Sequence, residues 1–456
     1  MVTRRNLLSG LGFGSLATRV RGLVTKNTSA NTLEAIDSLY PSTSVRTLNG
    51  WSLPPVVKHG AKEFHLVAEE VDHEFAPASR AKCWGYNGST PGPTIEGVEG
   101  DRVRIYVTNH LGEPPSVHGH GLYLPSGMDG VSGLNQPHIA PGETSAYEFT
   151  LKQHGTHMYH PHADERVQMG LGMMGLFIIH PKDGEPENID RDYAFLLHNW
   201  ALHPGTSRPD PSIMQEFDLW TFNSKTFPAI DPIVARTGER VRIRIGNLSM
   251  WNHPIHLHGV QFAVTGGDGG RWPRAMWRKE VTEIVSVGQM RDIEFVAIPG
   301  DWALYCHMSH HTMGPMGHGI PNSIGVDQSG LEKDIRAMLP GYMAMGKNGM
   351  SEHSGHLAMG MLPGPDNTLP MMTGQGPFGA IEMGGMFTVV KVRDDLAVGD
   401  YRDPGWYTNP KGTVAQRIST DPNFGNPIRK ARNTMSPIPR PAPDDMSAMP
   451  GMSHSS

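Results

Sequence analysis

The sequence predicts an all-β protein made of two β-sandwich domains, and three observations lead to this prediction. The 456 residues include 54 Gly and 38 Pro, a composition typical of short strands joined by many turns. Several short segments are rich in β-branched residues, partly alternate apolar with polar side chains, and show little helical spacing. GDRVRIYVTN at Gly100–Asn109 and GERVRIRIGN at Gly238–Asn247 are near copies. This internal repeat indicates that one domain architecture occurs twice.

Six segments are the main strand candidates, because each is bounded by Gly, Pro, Asn or Asp. The N-terminal half contains DRVRIYVTN, SAYEFTL and MGLFIIHP, and the second half contains ERVRIRIGN, IVSVGQMRDIEFVA and MFTVVKV. Each group of three supplies partly alternating strands of the kind from which a sandwich is built.

The order of the segments divides the chain into four parts. We predict a leader and N-terminal extension over residues 1–57, a first domain over 58–185, a second over 186–395, and a C-terminal arm and tail over 396–456. Within the second domain, a segment at about 322–378 is rich in Met, Gly, Pro and His. Thioether sulfur prefers copper(I), so this insertion either collects cuprous ions or is a low-complexity lid that covers apolar surface.

The N-terminus resembles a twin-arginine export signal, because Arg4 and Arg5 are followed by the short apolar run SGLGFGSLA. Such a signal predicts a periplasmic protein. No other segment is long and apolar enough to span a bilayer. The formal net charge of −6 gives no electrostatic reason to expect nucleic acid or an anionic membrane as a partner.

Four histidine clusters carry the chemistry: HGH at His118–His120, HPH at His160–His162, HPIHLH at His253–His258, and YCHMSHH at Tyr305–His311. Residues i and i+2 of a strand point to one face, so each HxH directs two imidazoles to the same place. Imidazole and thiolate are copper ligands, and a His/Cys set with a weak methionine is typical of an electron-transfer copper site. The other cysteine, Cys83, is expected to be an inert core residue, so no intrachain disulfide is predicted.

In this order, the four motifs resemble those of the multicopper oxidases. The counterparts here are HGHG, then YHPH after a Gly-Thr turn, then HPIHLHG, and last a Cys followed by His at one and five residues and by Met at ten. The flanking segments YNGSTPGPTI, MDGVSGLNQPHIAPG and PGDWALYCH are similar too. The short separation between the first and second pair of motifs is similar to that of the two-domain, small-laccase type. The resemblance therefore implies two cupredoxin domains, which are Greek-key β-sandwiches, with the blue copper and the Met-rich insertion in the second.

The resemblance also implies four copper ions per chain and a role for each ligand. His118 and His256 would hold a type 2 copper. A type 1 copper would be bound by His253, Cys306 and His311, with an axial methionine that is either Met316, which we favour, or Met383. The type 3 pair would be held by the remaining histidines of the motifs, which are His120, His160, His162, His258 and His307.

Tyr305 departs from the family pattern, because it stands where the family has a histidine that binds one type 3 copper. Strand alternation places its phenol on the same face as His307. Tyr305 is then a weak ligand, a hydrogen-bond donor or a redox-active group, or else the site is incomplete. His154, His157 and His310 are spare histidines near the motifs, and one of them is an alternative ligand.

Asp129 lies nine residues after His120, where the family has a carboxylate close to the cluster. Reduction of oxygen consumes protons, so an acid is expected there. The alternative is a structural Asp that caps the turn before Gly130.

The resulting prediction is a laccase-like oxidase. It would couple one-electron oxidation of a phenolic, aromatic or copper(I)-type substrate to four-electron reduction of oxygen to water. Two domains alone cannot bring all four motifs together within one chain of this type, so the resemblance implies a homotrimer with the trinuclear site between subunits. The main alternative is a periplasmic copper-binding or copper-resistance protein with an incomplete type 3 site. A copper nitrite reductase is disfavoured, because HPH in the first domain offers no Cys.

Overall fold

The computed structural model of the protein describes residues 45–77, 79–185, 187–203, 205–215, 217–313, 333–334, 337, 374–381 and 383–418. The leader, Met316 and the methionines of the Met-rich insertion lie outside these residues. Strands dominate the described part of the chain, which confirms the all-β prediction. The helices with described bounds are short, namely α1 at Glu165–Gly170 and α2 at Ser309–Met313.

The strands are numbered in chain order. Those that precede residue 181 are β1 (Arg46–Thr47), β2 (Val56–Lys58), β3 (Ala61–Ala76), β4 (Ser79–Tyr86), β5 (Ile95–Val98), β6 (Arg102–Asn109), β7 (His118–His120), β8 (Thr144–Thr150), β9 (Gly155–His160) and β10 (Gly175–His180). Those that follow are β11 (Arg191–Trp200), β12 (Leu219–Phe222), β13 (Ile233–Arg236), β14 (Arg240–Asn247), β15 (His253–Leu257), β16 (Phe262–Gly267), β17 (Gly270–Arg271), β18 (Arg278–Glu280), β19 (Thr282–Val285), β20 (Met290–Val296), β21 (Gly300–Cys306), β22 (Gly374–Gly376), β23 (Gly379–Ile381) and β24 (Phe387–Arg393).

The first sandwich contains β2 to β10. One sheet has the order β2-β3-β6-β8, with β4 paired to β3, and the other has the order β5-β10-β9-β7. Along β6, buried side chains alternate with more exposed ones, so that Val103, Ile105 and Val107 enter the core. Tyr159 of β9 and Phe177 of β10 pack in the same core. The partial alternation in the sequence therefore marks the buried face of this sheet.

The second sandwich is larger. Its eight-stranded sheet has the order β1-β11-β14-β20-β16-β17, with β12 on β11 and β18 on β16, and its five-stranded sheet has the order β13-β24-β21-β15-β19. Ile243, Ile255, Ile293, Leu304 and Val390 come from both sheets and pack in one core. The sandwich contains β1 as well, a strand that lies far before the rest of it in the sequence.

The two near-copy segments occupy equivalent places. In the first sandwich, β6 runs parallel to β3 and antiparallel to β8. In the second, β14 runs parallel to β11 and antiparallel to β20. This match confirms the internal repeat that the sequence predicts.

The sandwiches are joined by buried contacts. Met158 and Ile178 of the first pack with Leu196, Leu248 and Met290 of the second. Both sandwiches lie in one compact unit that ends at Tyr407, and a second unit begins at Thr408. The four-part division of the chain at 57/58, 185/186 and 395/396 stays a prediction.

A buried polar network strengthens this junction. The Thr156 hydroxyl donates to Asp292 Oδ1 at 2.7 Å and accepts from Arg244 Nη1 at 3.0 Å. Arg242 and Arg244 both donate to Asp192, whose carboxyl is fully buried. Burial alone would raise the pKa of this carboxyl, but the two guanidinium groups outweigh burial and hold the pKa below its ordinary value. Because buried charges are tolerated only when they are paired, the network fixes the relative position of β9, β11 and β14.

Across the described residues, none of the helices has the length and apolar character that a membrane span requires.

Candidate metal centres

A cysteine and two histidines form the most buried candidate site, which we call the buried set: His253, Cys306 and His311. Cys306 Sγ lies 3.5 Å from His253 Nδ1 and 3.3 Å from His311 Nδ1, and the two nitrogens are 3.1 Å apart. All three side chains are 0% exposed. The donor atoms therefore converge on one point inside the second sandwich, as the ligands of a single metal ion do.

Strand pairing and a tight turn explain the convergence. β15 and β21 are antiparallel neighbours with Ile255 opposite Cys306, so His253, two residues before Ile255, shares the inward face of the cysteine. The helix α2 follows β21 directly and carries His311 back to the sulfur. Gly385 passes so close to this helix that an added Cβ would lie 2.1 Å from the His311 carbonyl oxygen, and its φ of +56° also requires glycine.

Hydrogen bonds orient the ring of His253 so that the lone pair of its Nδ1 atom points towards the sulfur of Cys306. Its Nε2 lies 2.7 Å from the Ser249 hydroxyl, and that hydroxyl donates to Asn247 Oδ1. Since the hydroxyl has one proton to give, it accepts from His253 Nε2, which leaves Nδ1 unprotonated.

Burial keeps both imidazoles of the buried set neutral. Burial, with nearby imidazoles as a smaller cause, lowers the pKa of His253 to about 3 and that of His311 to about 2. Burial raises the pKa of the Cys306 thiol to about 12. The His253 Nδ1 lone pair, the His311 Nδ1 atom and the Cys306 sulfur face one another, and a soft cation bound there displaces the thiol proton. The donor chemistry thus fits copper.

Aromatic side chains cover the outer side of His311. The indole of Trp220 stacks on its ring with 4.8 Å between centroids and 21° between planes, and Trp251 lies edge-on at 6.1 Å. The ring centroid of His310 lies 4.2 Å from that of His311, and His310 is exposed. His311 Nε2 is buried and has no hydrogen-bond partner among the residues that the structure describes. This contact between Trp220 and His311 was not predicted from the sequence, because no motif connects positions so far apart.

The first sandwich carries a second group of ligands, the first-sandwich set: His118, His120, His160 and His162. β7 pairs with β9 so that His118 lies opposite His160 and His120 opposite Met158. Ligand atoms of His118, His120 and His160 lie within 4.8 Å of one another. The ring of His162 lies 5.5 Å from that of His118. The structure thus brings together the four histidines of the first two motifs.

Backbone carbonyls orient two of these imidazoles. A carbonyl oxygen can only accept, so His118 Nδ1 donates to Asp129 O at 2.7 Å and His160 Nδ1 donates to Pro161 O at 2.9 Å. This leaves His160 Nε2 as a lone pair, which faces His120 Nδ1 at 3.2 Å. Burial lowers the pKa of His120 and lowers that of His160 to about 3, so both are neutral at neutral pH.

Two carboxylates lie beside this set. Asp129 Oδ1 is 3.5 Å from His118 Nδ1. Glu165 places one oxygen 3.7 Å from His160 Nδ1 and the other 3.9 Å from His162 Nε2. Sequence reasoning singled out Asp129 and missed Glu165. The available signal was its place three residues after His162, in the first turn of a helix, where an acid is favoured by the helix dipole.

The outward face of β15 and β21 carries the third group, the second-sandwich set: His256, His258, Tyr305 and His307. His256 donates from Nδ1 to Val281 O at 2.6 Å, and its ring lies 4.9 Å from that of His258 and 5.3 Å from that of His307. The Tyr305 ring stacks on His307 at 5.3 Å and 30°. This confirms that Tyr305 and His307 share one face while Cys306, between them, points into the core.

No ring contact among the described residues joins the two outer sets. The histidine–histidine ring contacts of each set run within that set. His258 and His307 are exposed, whereas the buried set is enclosed.

The spare histidines lie elsewhere. His154 Nδ1 is 3.1 Å from Glu99, His157 is buried on β9 of the first sandwich, and His310 packs on Trp220. None of these three described side chains joins Tyr305. Met316 lies outside the described residues, and Met383 packs against the core of the second sandwich, so the axial ligand stays a prediction. Cys83 is buried in the core, as expected.

The comparisons with known proteins agree with this ligand pattern. Two family models, both described as multicopper oxidase, match residues 68–184 and 204–323. A copper resistance protein A homolog of Pseudomonas syringae pv. tomato is 35% identical over 179 residues, which are 39% of this chain and 30% of that protein. Copper resistance protein A of Escherichia coli is 34% identical over 175 residues, which are 38% of this chain and 28% of that protein. The chain thus spans less than a third of the length of these relatives.

Solved structures are similar over more of the chain. A blue copper oxidase from Nitrosomonas europaea matches with a TM-score of 0.53 and 25% identity, covering 72% of this chain and 85% of that one. A multicopper oxidase called mgLAC matches with a TM-score of 0.54 and 25% identity, covering 76% of this chain and 91% of that one. These matches confirm the cupredoxin-like sandwich fold.

Proposed function

The chain belongs to the multicopper oxidase family, and we propose that it couples one-electron oxidation of a small reducing substrate to four-electron reduction of oxygen to water. The observation that carries this proposal is the sequence Cys306-His307. Its first residue belongs to the buried set and its second to the second-sandwich set, so one peptide link connects the two kinds of site.

Each set has a proposed copper. The buried set would hold the type 1 ion, with Met316 or Met383 as the axial ligand. His118 and His256 would hold the type 2 ion, and the type 3 pair would be held by His120, His160, His162, His258 and His307. When bound, copper supplies the one-electron chemistry. The chain contributes neutral imidazoles that are oriented by backbone carbonyls, and the carboxylates Asp129 and Glu165, which are placed to deliver protons.

The reducing substrate would dock near the aromatic side chains that cover His311. Trp251 and His310 reach the surface there, and Trp220 lies in contact with the ligand ring. An aromatic surface favours a phenol or aromatic amine. The names of relatives, which include copper resistance proteins and an iron transport multicopper oxidase, favour a metal ion such as copper(I) instead. We keep both substrate classes.

We further propose a homotrimer in which the first-sandwich set of one copy meets the second-sandwich set of the next. The support is that no ring contact joins the two sets in the described part of the chain and that His258 and His307 are exposed. A head-to-tail arrangement closes into a ring and brings each first-sandwich set to a second-sandwich set. Export to the periplasm through the twin-arginine-like leader belongs to the same proposal.

The alternative is a copper-binding or copper-resistance protein that does not reduce oxygen. Tyr305, in place of a histidine, is the observation that favours it, because the second-sandwich set then has one imidazole fewer.

Copper stoichiometry with optical and electron paramagnetic resonance spectra, followed by oxygen uptake with a phenol and with copper(I), distinguishes the two. About four copper ions per chain, a blue band and oxygen consumption are expected for the oxidase. One or two copper ions without oxygen uptake would instead support the copper-binding alternative.

A further inference from the structure

The phenol of Tyr305 lies among three imidazoles on the outward face of the second sandwich. Its ring centroid is 5.6 Å from those of His256 and His258 and 5.3 Å from that of His307. Its hydroxyl oxygen lies 3.5 Å from His258 Nε2. The oxygen therefore occupies the space into which the imidazole lone pair can point.

The 3.5 Å between the Tyr305 hydroxyl oxygen and His258 Nε2 helps to decide whether the two atoms form a hydrogen bond or bind a common metal ion. A good hydrogen bond between a hydroxyl and an imidazole has about 2.7–3.0 Å between the heavy atoms, so this contact is too long for one. Two atoms that bind one metal ion, with bonds of about 2.0–2.2 Å, lie roughly 3.3 to 3.8 Å apart at tetrahedral or trigonal angles. The donor atoms of the buried set lie at similar separations, 3.1 to 3.5 Å.

The ring of Tyr305 is held in this position. On β21 it lies opposite His256 of β15 on one side and opposite Phe387 of β24 on the other. Stacking on His307 at 30° fixes the plane of the ring. Because the strand is hydrogen-bonded on both edges, the phenol stays directed at the histidines.

We propose that Tyr305 is a copper ligand whose phenolate oxygen, together with His258 Nε2, binds one copper(II) ion of the cluster. In this step the O–H bond breaks, the proton passes to solvent, and an oxygen–copper bond forms without transfer of an electron. The inference rests on the proposed function, because it requires copper at the second-sandwich set.

An oxygen donor changes the properties of the ion it binds. Soft sulfur ligands favour copper(I), whereas an anionic oxygen is a harder ligand and favours the oxidised ion. Tyr305 thus makes one copper of the cluster harder to reduce than an ion held by imidazoles alone. The two type 3 positions are then chemically unequal.

Spectroscopy of the copper-loaded, full-length protein tests this assignment. Work in a Cys306→Ser background removes the thiolate absorption of the buried set, so that weaker bands become visible. A bound phenolate gives a charge-transfer band in the visible region and tyrosinate bands in resonance Raman spectra. Ring-deuterated tyrosine, incorporated biosynthetically, shifts those bands.

The decisive comparison is Tyr305→Phe, which keeps the stacked ring and removes only the hydroxyl. We expect it to lose the charge-transfer band and about one bound copper ion per chain. Tyr305→His should restore the ion without the band. The matched control is Tyr401→Phe, because Tyr401 lies between Arg46 and Arg191, away from all three sets, and should leave both readouts unchanged.

The outcomes separate this inference from the proposed function. A protein that loads fully with copper and consumes oxygen when Cys306 is present, but shows no deuterium-sensitive tyrosinate band, overturns the ligand assignment alone. A band that survives Tyr305→Phe does the same. Uptake of a single copper ion by the buried set, with no oxygen consumption, overturns both. If Tyr305→Phe fails to fold, the deuterium shift in the parent protein still decides.

Discussion

The buried set and the two outer sets all contain histidines, but they differ in how far their side chains are enclosed by the chain. His253, Cys306 and His311 come from one sandwich, are fully enclosed, and converge within 3.5 Å of one another. The first-sandwich and second-sandwich sets are each partly exposed, and no ring contact joins them in the described part of the chain. The difference teaches that one chain by itself encloses the ligands of a mononuclear centre, whereas under the proposed function the larger centre draws its ligands from two chains.

The largest expected effect is the loss of the buried set. Cys306→Ser removes the thiolate, so the blue band should disappear and oxidase activity should fall about a thousandfold or more. The outer sets do not contain this sulfur, so copper bound there and the oligomer should both persist. Optical spectra, copper analysis and oxygen uptake check this, and Cys83→Ser, which alters a core cysteine, should retain the blue band. A normal turnover rate in Cys306→Ser would contradict the proposed mechanism.

Subunit mixing tests whether the outer sets meet between copies. His118→Ala disables the first-sandwich set and His256→Ala the second-sandwich set, so each variant alone should be inactive. After the two are unfolded and refolded together in equal amounts, about a quarter of the junctions in a head-to-tail ring pair an intact first-sandwich set with an intact second-sandwich set. We therefore expect about a quarter of the parent activity.

Refolding each variant separately and then mixing the products is the control. If the trinuclear site formed within one chain, no mixture of the two variants would regain activity, and the proposed homotrimer would be wrong.

The sequence predicts well which candidate ligands share a face of a strand, because strand alternation is a local property. Cys306 and His307 point to opposite faces, and HxH pairs point to one face, whatever the rest of the fold does. The repeat of Gly100–Asn109 in Gly238–Asn247 likewise predicts two equivalent strands, β6 and β14.

The contacts that the sequence does not predict are those between segments that lie far apart in the chain. Trp220 reaches His311 only because β12 lies beside α2 in the folded chain. Glu165 is close to two ligand histidines because α1 begins there, but a single Glu after HPHAD carries little signal by itself. Such contacts follow from packing between elements, which no short motif encodes.

Acid should lower the free energy of unfolding of the copper-free protein. Burial lowers the pKa of His198 from 6.5 to about 4, so the unfolded chain binds a proton between these pH values and the folded chain does not. The stabilisation is present above pH 6.5 and is lost as the pH falls towards 4. By linkage, the free energy of unfolding falls by about 3 kcal/mol through His198 over this pH range.

Chemical denaturation of the apo-protein as a function of pH checks this effect. His198→Asn should reduce the slope of the pH dependence by the share of this one histidine, because an amide does not titrate and still has an N–H to donate to Leu248 O. His59→Asn is the matched control, since His59 is exposed and its φ of +50° suits Asn. Equal slopes for His198→Asn and the parent protein would show that another group causes the pH dependence.

The smallest expected effect concerns protons at the first-sandwich set. The backbone carbonyl of Asp129, not its carboxylate, accepts the 2.7 Å hydrogen bond from His118, so Asp129→Asn should leave copper loading unchanged. Loss of the carboxylate should lower turnover about tenfold, a modest factor for an acid because Glu165 remains nearby. Steady-state oxygen uptake with copper analysis measures both, and Asp183→Asn, at an exposed position of the same sandwich, serves as the control. If Asp129→Asn loses copper as well as turnover, the side chain positions His118 structurally and the carboxylate is not a proton donor.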